Sequence, residues 1–136
     1  LNIVSALSLE QLNKVPQGFK NNIAWNVGHL VAAVQGVCYG RSGLPMNVEQ
    51  SFFDMYKPES KPERDITAEE LETIKDLMFS TLDTLEADYE KRIFGGFTPF
   101  KTRTGVQLNS IEDAITFLLF HEGIHTGVIM SQRKLV

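Results

Sequence analysis

The stretch TAEELETIKDLMFSTLDTLEADYEKR, residues 67–92, decides the fold class of this chain. Its apolar residues recur at steps of three and four, so they share one helical face; they are Leu71, Ile74, Met78, Leu82, Leu85 and Tyr89. Thr67, with Glu70 three residues later, has the spacing of a capping box at a helix start. We therefore predict a long amphipathic helix over residues 67–92.

Two further long helices are predicted on either side of this one. The first runs from Asn21 to about Tyr39, with Asn21 or Asn22 as its cap and an apolar stripe formed by Ile23, Val27, Leu30, Val34 and Val37. The other runs from Ser110 to about Lys134, and acidic residues follow its capping serine, where they suit the helix dipole. Its broad apolar side comprises Ile111, Ile115, Leu118, Leu119, Ile124, Val128 and Ile129.

The remaining segments predict short elements and connections. Before Pro16 we expect a first helix that is clipped, or interrupted near Ser8, since Ser8 and Gln11 have cap spacing. Residues 42–66 contain three prolines and are expected to be a solvated crossover with little regular structure. Residues 93–109 predict an ordered aromatic loop with a short extended stretch at 101–108. Three long helices and an N-terminal helical piece indicate an all-α fold, a four-helix bundle with crossover connections.

Composition limits the classes of function. The 136 residues, 43% of them hydrophobic, suit one domain over residues 1–136. A net charge of −4 gives no support for nucleic acid as the main partner. No unbroken run of about 18 apolar residues occurs, so neither a membrane-spanning helix nor a membrane partner is expected. The single cysteine, Cys38, cannot form an internal disulfide and is expected to be buried, which suits a reducing, cytoplasmic location.

The three histidines of the chain, His29, His121 and His125, all fall in predicted helices. His121 and His125 are four residues apart and therefore lie one turn apart on the same face. If the helix that carries His29 packs beside them, three imidazoles can converge on one metal ion. Such a set leaves open positions on zinc, nickel or iron for water or substrate. The alternative is that these are three unrelated helix histidines.

The neighbourhood of His29 adds candidates for a binding pocket. Its helical neighbours comprise two amides and an indole, Asn22, Asn26 and Trp25, and small residues that include Ala33 and Gly36. Small residues could leave a hollow near the ring, where the amides fix its tautomer or meet a ligand. The other interpretation is that the small residues permit close helix packing and that Asn22 caps its helix.

Residues 121–125, HEGIH, also match the metalloprotease pattern in which a glutamate acts as general base. Proteases of that kind take a further ligand downstream, and residues 126–136 contain no His, Asp or Glu. A protease is therefore disfavoured, and Glu122, rotated about 100° from His121 around the helix, is expected at the surface or the rim of the site.

Two stretches together resemble a known family. Residues 16–30, PQGFKNNIAWNVGHL, are similar to the second-helix signature of the DinB/YfiT-like superfamily, and residues 105–127 are similar to its last-helix signature. The resemblance implies an up-down-down-up four-helix bundle, often homodimeric, that holds one divalent metal ion on His29, His121 and His125. Zinc or nickel is expected first, with iron or manganese as alternatives. Members with known activity are bacillithiol or glutathione S-transferases and a mycothiol-dependent maleylpyruvate isomerase.

The resemblance therefore predicts a metal-dependent enzyme of the thiol S-transferase type, acting on a small electrophile with a low-molecular-weight thiol. Two alternatives stay open. A metal-bound water would give a hydrolase instead. A non-catalytic dimeric module would keep the histidines as a structural or vestigial metal site. A cluster sealed from solvent with no adjoining pocket would favour the module.

Overall fold

A computed structural model describes residues 2–136 as a mostly helical bundle, which confirms the predicted all-α architecture. The helices are α1 (Asn2–Ser5), α2 (Leu9–Asn13), α3 (Ile23–Val34), α4 (Gln50–Tyr56), α5 (Ala68–Glu90) and α6 (Ile111–Gln132). Helix α3 continues into a π-helical turn, Gln35–Tyr39, and a 3-10 turn, Gly40–Ser42. Two short antiparallel strands, β1 (Phe100–Lys101) and β2 (Gln107–Leu108), form the extended stretch predicted before α6.

Side-chain caps start four of the helices where the sequence placed them. The Thr67 hydroxyl accepts a hydrogen bond from Glu70 N–H at 3.2 Å, and the Glu70 carboxylate accepts one from Thr67 N–H at 2.8 Å. Ser8 forms the same reciprocal pair at the start of α2, so the predicted interruption near Ser8 is confirmed. Asn22 caps α3 and Ser110 caps α6. These contacts satisfy N–H groups that the first helical turn leaves without partners.

Helix α3 is the central element of the bundle. It packs against α5 and α6, and also against α2 and α4. Every residue of α3 except Leu30 is buried, because the helix is apolar on nearly all of its sides. Its buried polar residues, which include Asn26 and His29, therefore need hydrogen-bond partners inside the protein.

Helices α5 and α6 leave a groove open above α3. Leu30 and Val34 form part of its floor, and residues such as Leu85 and Leu118 form its walls. Several residues of the two predicted apolar faces are consequently exposed rather than buried: Leu82 and Tyr89 on α5, and Leu119 and Ile124 on α6. The two apolar faces predicted from the sequence are therefore covered only in part.

The crossover over residues 42–66 is more regular than predicted. It contains α4, whose Tyr56 is almost fully buried against α3. A Cβ atom on Gly28 would lie 2.5 Å from the Tyr56 ring, so the glycine permits this close approach. The helix has seven residues and no side-chain cap, and such a helix owes its stability to tertiary packing. Its sequence alone therefore gave no signal strong enough to predict it.

Helix α6 differs from expectation in one further respect. Among the described residues it is the one helix whose length and apolar composition would suffice to cross a membrane. Length and composition are weak evidence for a membrane, because core helices of other proteins reach the same values. In this structure α6 packs on α3 and carries two of the three histidines.

Candidate metal centre

The three histidines form one cluster between α3 and α6. The ring centroids of His29 and His121 lie 5.2 Å apart, those of His29 and His125 lie 4.7 Å apart, and those of His121 and His125 lie 4.5 Å apart. One ring nitrogen from each residue lies within 4.8 Å of the other two. The reading of three unrelated helix histidines is therefore excluded by their positions. The helical spacing brings His121 and His125 together, and the packing of α3 on α6 adds His29.

His29 is held by its neighbours on two sides. Its Nδ1 lies 2.7 Å from the backbone carbonyl oxygen of Tyr56. A carbonyl oxygen only accepts, so Nδ1 of the neutral ring carries the proton and Nε2 keeps a lone pair. The indole of Trp25 stacks on the ring at 4.7 Å with an angle of 10° between their planes, and Trp25 Nε1 donates to Ser60 Oγ.

His125 is oriented by a side chain of α3 in the same way. Its Nδ1 lies 2.8 Å from Oδ1 of Asn26. The Asn26 amide donates through Nδ2 to the backbone carbonyl oxygen of Asn22 at 2.8 Å, which places its oxygen toward His125. His125 therefore donates from Nδ1, and its Nε2 has a lone pair available to a metal ion.

His121 lacks a comparable partner. Its Nδ1 is buried and makes no hydrogen bond. A buried polar atom without a partner costs free energy, commonly 1–3 kcal/mol or so, unless an ion or water satisfies it. The ring of Phe117 lies 5.7 Å away, one turn earlier on α6. This orphaned nitrogen is the feature that a metal ligand would show before its ion is bound.

The environment keeps all three rings neutral at pH 7. Burial lowers the pKa of His29, and the hydrogen bond to Tyr56 opposes part of that effect. Burial, with the neighbouring His29, lowers the pKa of His121 to about 4. Burial, together with His29 and His121, lowers the pKa of His125 to about 3. A neutral imidazole is the form that binds a metal ion, so the donor set fits zinc, nickel or iron.

Two cavities adjoin the residues around the cluster. His121 lines a mostly apolar cavity of about 180 Å³ in the groove between α5 and α6, together with residues such as Val31, Leu85 and Leu119. A larger cavity of about 720 Å³, with charged side chains in its lining, lies beside the 51–66 segment and is lined by Asn22 and Trp25, but by none of the three histidines. One member of the cluster, His121, therefore borders a mostly apolar cavity.

The three predicted pocket residues have different surroundings. Trp25 lies between the cluster and the larger cavity, since it stacks on His29 and also lines that cavity. Asn22 lines the same cavity, but its side chain is engaged in the helix cap and in a hydrogen bond to the carbonyl of Asn13 at 2.7 Å. Asn26 is fully buried and reaches His125 rather than a cavity.

Other expectations for single residues are met. Glu122 is exposed and forms no part of the histidine cluster. Cys38 is fully buried, and burial raises the pKa of its thiol to about 12, which does not suit a nucleophile. Two residues that support the cluster, Tyr56 directly and Gln132 indirectly, were not singled out in the sequence. Tyr56 acts through its backbone, which carries no residue-specific signal, and Gln132 acts through Asn26.

Comparison with known proteins gives one match. The family model of the DinB superfamily matches residues 1–129 of the chain. No curated protein and no solved structure matches it. The matched range includes all three histidines.

Proposed function

The chain belongs to the DinB superfamily, which confirms the resemblance seen in its sequence, and from this premise we propose that it binds one divalent metal ion. His29, His121 and His125 hold the ion. We further propose that the protein is a metal-dependent enzyme of the thiol S-transferase type, acting on small molecules. Zinc or nickel is the expected ion, with iron or manganese as alternatives.

One observation carries the metal proposal. Three neutral imidazoles converge, and hydrogen bonds to Tyr56 and Asn26 leave the Nε2 lone pairs of His29 and His125 free for a ligand. The third ring has a buried nitrogen with no partner. Clusters of core histidines that serve only packing would be expected to satisfy these nitrogens within the protein. A bound cation would give a partner to the free Nε2 lone pairs of His29 and His125.

In this proposal the residues of the chain bind and orient the reacting groups and do not themselves react. A divalent ion held there supplies Lewis acidity, which lowers the pKa of a thiol or of water. The carbonyl of Tyr56 and the amide of Asn26 hold two rings in one orientation. Trp25 stacks on His29 and keeps water from that ring face, and Phe117 lies in a tilted contact with His121. His121 borders the apolar cavity, where the carbon skeleton of an electrophile can bind.

The open cavity favours catalysis over a structural site. A structural metal site is closed, whereas a catalytic one keeps positions for substrate. His121 lines a cavity of about 180 Å³, so a small molecule has a path toward the cluster. The choice of a thiol as cosubstrate, a homodimeric assembly and a cytoplasmic location rest on the family resemblance, and they are proposals on the same footing.

The metal proposal is tested by elemental analysis of protein purified without chelators, followed by titration with Zn²⁺ and Ni²⁺. We expect one ion per chain in the wild type. The His121→Ala variant should bind markedly less tightly, and Glu122→Gln, which changes an exposed neighbour, should bind as the wild type does. A wild type that neither purifies with metal nor binds it at neutral pH would overturn the proposal.

The enzyme proposal is tested on the metal-loaded protein with bacillithiol or glutathione and 1-chloro-2,4-dinitrobenzene. In that reaction the sulfur bonds to the ring carbon, chloride leaves with the bonding electron pair, and the thiol proton passes to solvent. We expect turnover that is lost on chelation and in His121→Ala. Metal-dependent ester hydrolysis without a thiol would show a hydrolase instead. Tight metal binding with neither activity would show the non-catalytic module.

A further inference from the structure

A relay of side-chain amides connects His125 to the backbone that immediately precedes α3. Gln132 Nε2 donates to the carbonyl oxygen of Asn21 at 2.8 Å. Gln132 Oε1 accepts a hydrogen bond from Asn26 Nδ2 at 3.2 Å, and Asn26 Oδ1 lies 2.8 Å from His125 Nδ1. Gln132 and Asn26 are fully buried, so water does not compete for these contacts.

The backbone sets the direction of every hydrogen bond in this relay. The carbonyl oxygens of Asn21 and Asn22 can only accept, so the amide nitrogens of Gln132 and Asn26 must face them. Reversing either amide would place two acceptors, or two donors, against each other in a buried site. The oxygen of Asn26 is therefore fixed toward His125, and the proton of the neutral His125 ring is fixed on Nδ1.

We propose that Asn26 and Gln132 are positioning residues that hold His125 in the Nδ1-protonated tautomer, with Nε2 presented to the metal centre. The spacing supports the assignment. Gln132 follows His125 by seven residues, which is two helical turns along one face of α6. Asn26 precedes His29 by three residues, which is one turn of α3. One amide pair therefore links the two helices that carry all three histidines.

The three histidines differ in the hydrogen-bond partner of their Nδ1 atom, and this difference provides internal controls. His29 receives the same orientation from a backbone carbonyl, which side-chain substitutions at 26 or 132 do not remove. His121 has no partner on Nδ1. A substitution that acts through the relay should therefore change the tautomer of His125 and leave that of His29 unchanged.

The tautomers are read directly by long-range ¹H–¹⁵N correlation spectra of the metal-free protein labelled at its histidine rings. We expect both His29 and His125 to be protonated on Nδ1 in the wild type. In Asn26→Leu the acceptor is lost and His125 should populate the Nε2-protonated form, whereas His29 should not change. This experiment involves neither metal nor substrate, so its outcome does not depend on the proposed function.

The consequence for metal binding rests on the proposed function and is measured by zinc titration. Loss of a hydrogen bond behind a ligand commonly weakens metal binding about 10- to 100-fold, and we expect Asn26→Leu to fall in that range. Asn26→Asp keeps an acceptor for His125 but sets a second acceptor against the Asn22 carbonyl, so it should weaken zinc binding less than Asn26→Leu does. Gln132→Met should weaken binding less than Asn26→Leu. The double variant should be no weaker than Asn26→Leu alone, because Gln132 acts through Asn26.

Three results would overturn the proposal. The first is a wild-type His125 protonated on Nε2. The second is Asn26→Asp weakening zinc binding as much as Asn26→Leu, since a purely structural role would depend on the donor that both variants lose. The third is additive loss in the double variant. If Asn26→Leu does not fold, the wild-type spectrum, Asn26→Asp and Gln132→Met still decide the question. A protein with the expected tautomers that binds no metal would refute the proposed function and leave the relay intact.

Discussion

The Nδ1 atom of His29 lies 2.7 Å from the backbone carbonyl oxygen of Tyr56, the last residue of α4, which is 27 positions further along the chain. This contact joins the histidine cluster to the crossover segment and fixes the proton of the neutral His29 ring on Nδ1. It also makes the site sensitive to substitutions that displace α4. The predictions below begin with that sensitivity.

Gly28→Ala should damage both the fold and the site. The added methyl group would lie 2.5 Å from the Tyr56 ring, so the ring and its backbone must move away from His29. Overpacking of this kind commonly costs about 1–3 kcal/mol of unfolding free energy. Denaturant unfolding and zinc titration should both show a loss. Gly127→Ala on α6 is the matched control, because its added methyl group meets nothing within 4 Å and should raise stability by up to about 1 kcal/mol. Equal behaviour of the two variants would contradict the packing argument.

His125→Ala should weaken metal binding at least about tenfold, which corresponds to about 1.4 kcal/mol. It removes one of the three proposed ligands, whereas the exposed Glu122 lies outside the cluster. Glu122→Gln should therefore leave the dissociation constant within a few-fold of the wild type. Calorimetric titration with zinc measures both. Metal-dependent casein cleavage that is lost in Glu122→Gln would instead support a protease.

Thr67→Ala should lower the free energy of unfolding by about 1 kcal/mol, because the hydroxyl that caps α5 is lost. Thr73→Ala is the control on the same helix. Its exposed hydroxyl donates to the Glu69 carbonyl oxygen inside the helix, so its loss should change stability by less than about 0.5 kcal/mol. Urea unfolding followed by circular dichroism compares the two. A Thr67→Ala loss no larger than that of Thr73→Ala would show that the capping box does not stabilise α5.

The metal-free protein should lose stability as the pH falls below about 6.5. In the unfolded chain a histidine has its ordinary pKa near 6.5, whereas in the folded protein the pKa is about 4 for His121 and about 3 for His125. The unfolded state therefore binds more protons in this window, and the free energy of unfolding decreases on acidification. Urea midpoints between pH 7 and 5 measure the effect above the range in which carboxylates titrate. His121→Gln with His125→Gln should flatten this dependence, and an equally steep decline in that double variant would assign it to other groups.

Much of the candidate site follows from local sequence alone. His121 and His125 share a helical face at any tertiary arrangement, because four residues span about one turn. The caps at Asn22, Thr67 and Ser110 were also predictable, since each contact is made within three residues. Family resemblance added the association of His29 with this pair.

The hydrogen-bond partners of the histidines could not be predicted from local sequence. Tyr56 contributes a backbone carbonyl, which every residue type carries, and the seven-residue α4 that positions it lacks a side-chain cap. Gln132 reaches Asn26 across 106 positions of the chain. No periodic pattern records a contact of that range.

The sequence by itself therefore determined the three long helices, their capped starts and the two-histidine face of α6, because these depend on interactions within a few residues. Only the tertiary structure decided that α3 is buried at the centre, that Leu82 and Leu119 remain exposed beside an open groove, and which nitrogen of His29 and of His125 is hydrogen-bonded within the protein. These features depend on which helices pack together and how closely, and Gly28 against Tyr56 shows that a single methyl group can limit that approach.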